Sequence, residues 1–158
     1  MHDNTPNRDA ASMRRDIQTD FSACLLAKLP PLAAMAEQVE SIHFGEEDVP
    51  EGLSEILHQL FVALVAQLKT QELTFFPAIR EGGASGLEEA RAMMPAEHQR
   101  HTASISEIRN LTGQLTPPQG SCRTWRTLYT DLGEFIADLE EYMRLKTEAL
   151  SARVELQK

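Results

Sequence analysis

Apolar residues in this chain recur at alternating steps of three and four, and the seams they trace are interrupted by amides, histidines, a tyrosine and a lysine. One seam reads Leu53, Leu57, Leu60, Leu64, then Gln67 and Gln71. Another reads Trp125, Leu128, Leu132, Phe135, Leu139, then Tyr142 and Lys146. A third is Met94, His98, His101, Ile105, Ile108, and the earliest is Ser22, Leu25, Leu29, Leu32, Ala36, Val39, His43. This spacing puts each set on one face of a helix. Helices that pack such faces together enclose a polar layer in an otherwise apolar core. A buried polar layer destabilises the fold unless it is fully hydrogen-bonded or holds a ligand. Function is therefore to be sought there.

Strand signals are absent, since no alternating β-branched run is bounded by turn residues. Four helical segments are expected. The first runs from about Arg14 to His43, with Pro30 and Pro31 inside it, where a kink or a division is predicted. Gly45 is placed to cap its end, followed by the acidic run Glu46-Glu47-Asp48. The second runs from about Pro50 to Ile79, with Pro77 in its last turn and Gly82-Gly83 beyond. The third spans about Gly86 to Leu111. Thr116-Pro117-Pro118-Gln119-Gly120 links it to the fourth, which starts near Ser121 and continues to the C-terminus. Long helices with short joints imply antiparallel neighbours, hence an all-α, up-and-down four-helix bundle over residues 16–158. Residues 1–15 read as a polar disordered tail.

A length of 158 residues is one domain's worth. The net charge of −9 argues against nucleic acid or an anionic membrane as partner, because phosphate binding needs a basic surface. No apolar run reaches the roughly 18 residues of a bilayer span. The polar start, without an apolar h-region, points to the cytoplasm. Cys24 and Cys122 are then expected to be reduced, structural and non-reactive thiols. A Gly-rich phosphate loop is missing, as are a Gly-x-Ser-x-Gly motif and a cysteine adjacent to a histidine in sequence.

Metal sites in bundles use inward side chains from facing helices, and imidazole with carboxylate suits iron, manganese or zinc. His43 and His98 lie on seams and are the metal-ligand candidates. Glu97, His101, Glu72 and Tyr142 are weaker ones, Glu97 and Glu72 because each adjoins a seam without being on it. His58 is one step off its seam and reads as a solvated residue. Gln67 and Gln71 are neutral amides and poor ligands. Lys146 stands out, because lysine is almost never on a core seam unless paired. Either it reaches back to water, or its ammonium fills the space of a metal cation and donates to Gln71, Tyr142 or a nearby carboxylate.

Several segments resemble hemerythrin-like (HHE) domains of the iron-centre-repair type. They are Leu29-Pro30-x-Leu32, Ala36, Val39, His43-x-Gly45; Phe76-Pro77-Ala78-Ile79; Met93-Met94-x-x-Glu97-His98-x-x-His101, running on to Ile108-Arg109-x-Leu111-Thr112; and Phe135-Ile136-x-Asp138-Leu139. The resemblance covers about residues 18–153. It implies a hemerythrin-like bundle in which two irons are held by five histidines and two bridging glutamates. On that pattern His43 and His98 match ligands. Ser22 stands where the first histidine belongs, Gln67 and Gln71 replace the His and Glu of the second helix, and Tyr142 and Lys146 replace those of the fourth. With both bridging carboxylates gone, an intact di-iron centre is not expected.

The resulting expectation is a cytoplasmic binding or regulatory module with a degenerate metal site and no catalysis, in the setting of iron–sulfur-cluster repair and nitrosative stress. It would act as a homo-oligomer or pair with a metal-competent relative. The alternative is a metalloprotein in which His43 and His98 share one weakly held metal ion, iron for example, and which still serves iron-centre repair or the response to NO or O2. A third reading is a bundle whose polar layer holds a small molecule.

Overall fold

The computed structural model describes residues 10–70 and 84–157. All regular elements among them are helices: α1 (Ala10–Ile42), α2 (Leu53–Thr70), α3 (Ala84–Leu111) and α4 (Arg123–Gln157). Helix α1 packs along α2 and α4, and α3 closes the square against α2 and α4. The predicted up-and-down four-helix bundle is the observed fold. None of the described helices is long and apolar enough to cross a membrane.

The expected break at Pro30-Pro31 does not divide α1, which runs through both prolines as one helix. Each proline removes one backbone donor and frees the carbonyl four residues earlier. Both prolines and Ala27 are exposed, so water can take up that lost bond. The opposite face, with Leu25, Leu29, Leu32 and Ala33 all buried, holds the helix to its neighbours. Helix α1 starts at Ala10, ahead of the expected Arg14. The first nine residues, Gln71, Glu72, the Phe76-Pro77 segment and Gly82-Gly83 lie outside the described residues.

Helix α2 begins where Gly52 turns the chain with φ +93°, a conformation that L side chains rarely adopt. The Glu40 carboxylate, from α1, accepts the N–H groups of Gly52 at 2.9 Å and Ser54 at 2.8 Å. An acidic group at a helix N-terminus satisfies open donors and complements the helix dipole. This ties the end of α1 to the start of α2. The core draws Leu53, Leu57, Leu60 and Leu64 from α2, and Trp125, Leu128, Leu132, Phe135 and Leu139 from α4. Full burial of such side chains stabilises by about 1.5–3 kcal/mol each. Helix α3 contributes only Ile105 and Ile108 among the described core residues. Its inward positions nearer the N-terminus are polar, and that is where the layer forms.

Candidate functional site

Six side chains from all four helices meet in this layer and are buried: Ser22 of α1, Gln67 of α2, Glu97 and His101 of α3, Tyr142 and Lys146 of α4. The Lys146 ammonium donates to Glu97 Oε1 at 2.6 Å, with only 7% and 8% of the two side chains exposed. His101 Nε2–H donates to Gln67 Oε1 at 2.7 Å. Burial is the main force that lowers the His101 pKa from 6.5 to about 4, and the Lys146 charge adds to it. The imidazole is therefore neutral at pH 7. Tyr142 packs its ring 6.1 Å from that of Phe21. Ser22 Oγ is buried with no hydrogen-bond partner among the described residues. The space left between Gln67, Met94, Glu97, His101, Met143 and Lys146 is about 10 Å³, no more than roughly one water molecule requires. A small-molecule ligand has no room in it.

Ser22, Gln67, Tyr142 and Lys146 thus face the interior as their seams predict. Lys146 does not reach back to solvent, and its partner is Glu97. The expected positions of Glu97 and His98 are exchanged: Glu97 is buried, whereas His98 is exposed. Met94, Glu97, His101 and Ile105 satisfy helical spacing as well as the series through His98. The buried ammonium decides between them, because it requires a carboxylate. Glu97 is the residue that periodicity alone misplaced, and the signal that identifies it is the lysine on the facing seam.

His43 is not in this layer. It sits at the opposite end of the bundle, beside Cys122 and Trp125 at the start of α4. His98 lies by Met143, Lys146 and Thr147, well along the same helix. At 1.5 Å rise per residue the two histidines are on the order of 30 Å apart. The expectation of one metal ion shared between them is corrected on that ground.

Around His43 a second cluster forms. Its Nδ1 lies 2.9 Å from Glu46 Oε2, and its Nε2 lies 3.4 Å from Cys122 Sγ. The Cys122 sulfur also accepts the Trp125 backbone N–H at 3.4 Å, while the Cys122 carbonyl accepts the Arg126 N–H at 3.1 Å. Cys122 therefore occupies the N-cap position of α4, usually filled by Ser, Thr, Asp or Asn. The Trp125 N–H and then the His43 imidazole draw the thiol pKa down. The His43 pKa is raised, by Cys122 first and then by Glu46. Trp125, itself buried, packs its ring 4.8 Å from the imidazole. Cys24 and Cys122, expected as reduced, structural and non-reactive thiols, are both free and exposed. Sequence spacing gives no warning of this cluster, because 79 residues separate His43 from Cys122.

With this geometry established, comparison with known proteins is informative. The family model of the hemerythrin HHE cation-binding domain matches residues 25–153. The iron-sulfur cluster repair protein YtfE of Yersinia pseudotuberculosis is 36% identical over 126 residues, which is 80% of this chain and 57% of that protein. The protein of the same name from Yersinia pestis has the same identity and coverage. The chain thus spans 57% of the length of these curated relatives.

Proposed function

This chain belongs to the hemerythrin HHE cation-binding domain family, and we propose that it is a non-redox binding or regulatory module whose cation site is filled by its own charges. The buried Lys146–Glu97 ion pair carries this reading. A metal ion placed in the layer would meet an ammonium at close range, and two like charges in a poorly solvated core repel strongly. Glu97, the one buried carboxylate among the described residues, is engaged by that ammonium. His101, the one buried imidazole among the described residues, is held through Nε2 by Gln67. Among the described residues no group of three His, Cys, Asp or Glu side chains is arranged to hold a metal. The donor set does not fit a di-iron centre, whose charge needs bridging carboxylates.

In this reading the ammonium stands in for the metal cation and Glu97 for the anionic ligand, so the bundle keeps its packed polar layer without metal. The reading is supported by the relatives of this chain that are named iron-sulfur cluster repair proteins. We assign this chain to iron–sulfur cluster repair under nitrosative stress in the cytoplasm, acting as a homo-oligomer or with a metal-competent relative rather than turning over a substrate.

Elemental analysis and an absorption spectrum of protein made in iron-replete cells test the proposal. The expected result is far less than one iron per chain and no visible band. About two irons per chain, the complement of a dinuclear site, would overturn it. The double variant Lys146→Glu with Tyr142→His removes the cation and adds a carboxylate and an imidazole. It is expected to gain a metal ion that the parent chain lacks.

A further inference from the structure

The cluster at the other end of the bundle has a different chemistry and does not depend on the reading of the polar layer. Cys122 is no lone thiol: a nucleophile, a base and a group that orients the base stand within hydrogen-bond reach of one another, as Cys122, His43 and Glu46. The sulfur is exposed to solvent. It sits at the N-terminus of the long helix α4, where backbone N–H groups and the helix dipole favour an anion. Next to Cys122 in sequence, the buried Ser121 Oγ has no hydrogen-bond partner among the described residues.

We propose that Cys122, with His43 and Glu46, is a peroxide-reactive thiol site whose substrate class is a small hydroperoxide. The Cys122 thiolate attacks one peroxide oxygen and the O–O bond breaks. The leaving hydroxide or alkoxide takes the Nε2 proton of the His43 imidazolium. Sulfur is oxidised by two electrons to a sulfenic acid, and the peroxide is reduced to water or an alcohol. Charge balances, because the thiolate–imidazolium pair becomes a sulfenic acid and a neutral imidazole. Glu46 is a positioning residue that holds Nδ1–H, so that Nε2 faces the sulfur. Cys24 cannot resolve the product, since it lies on the order of 25 Å away along α1, beyond the Cα separation a disulfide spans. A low-molecular-weight thiol would condense with the sulfenic acid, giving a mixed disulfide and water.

Cys24, equally exposed but in the interior of α1, is a control within the same chain. The intact protein is treated with dilute hydrogen peroxide at pH 7 in the presence of a dimedone-type probe, and the adduct at each cysteine is followed by peptide mass spectrometry. The imidazole beside the sulfur and the N-terminus of α4 favour the thiolate, so Cys122 should be labelled faster than Cys24. His43→Gln should bring Cys122 down to the rate of Cys24 with the helical circular dichroism unchanged. Glu46→Gln, at an exposed position, should give a partial loss and Glu46→Asp a smaller one. Equal labelling of the two cysteines in the parent chain would overturn the proposal. So would a Cys122 rate that neither His43→Gln nor Glu46→Gln lowers.

Discussion

The two ends of the bundle use nearly the same side chains to opposite effect. In the polar layer, His101 stands beside an ammonium and is closed off from water, and it stays neutral to about pH 4. At the far end, His43 lies between a carboxylate and a thiol near the surface, and its proton is held more tightly than usual. Each end also has a glutamate. Glu97 neutralises a buried cation, whereas Glu46 orients an imidazole at a position open to solvent. The difference shows that an imidazole's role follows from the sign of its neighbours' charge and from access to water. A closed, compensated cluster serves packing, and an open one with an exposed thiol beside an imidazole can react.

The largest expected effect separates the two glutamates. Glu97→Gln leaves the Lys146 ammonium buried without its counter-charge, and breaking a buried pair in this way destabilises by about 3–5 kcal/mol. Glu46→Gln removes a surface charge and should change stability by less than about 0.5 kcal/mol. Urea unfolding midpoints of the two variants measure both. Replacing the pair together, Glu97→Gln with Lys146→Met, should recover most of the first loss. Equal destabilisation at the two sites would remove the distinction between a compensated core and an open cluster.

A somewhat smaller effect is expected with pH. The folded-state pKa of His101 lies below its ordinary 6.5, so on acidification the unfolded chain takes up this proton first. The stability that His101 contributes is fully present above about pH 6.5 and is lost as pH falls toward about 4. At 1.36 kcal/mol per pKa unit the loss is on the order of 3 kcal/mol. Carboxylates titrate in the same range, so the quantity to measure is the difference in pH dependence between the parent chain and His101→Gln. Parallel stability curves would mean that His101 is not held neutral in the core.

Much of this was legible in the residues alone. The three-and-four spacing of Leu53 to Leu64 and of Trp125 to Leu139 marks the helices, and the lysine at 146 leaves two alternatives, reach to water or a partner inside the bundle, between which its burial beside Glu97 decides. Two things were not legible. Spacing cannot choose between Glu97 and His98, because adjacent residues both fit an α3 face until the facing helix supplies a charge. Nor can any local pattern join His43 to Cys122, since their contact is made by the α1–α2 turn meeting the start of α4. At Pro30-Pro31 the residues alone allow either a kink or a division, and packing of the opposite face keeps α1 undivided.

The smallest expected change in stability is at Cys122 itself, and it sharpens the contrast most. Sulfur here accepts the Trp125 N–H from an N-cap position, a task for which a serine hydroxyl is among the best groups. Cys122→Ser should therefore leave the melting temperature unchanged or raise it slightly, by the equivalent of a few tenths of a kcal/mol. The same substitution abolishes dimedone labelling at this position and leaves Cys24 unaffected. No comparable exchange exists in the polar layer, where replacing Glu97 or Lys146 by a neutral residue leaves its partner's charge uncompensated. A marked loss of stability in Cys122→Ser would mean that the thiol serves the cap in a way oxygen cannot, and that the two ends of the bundle are less different than their geometry implies.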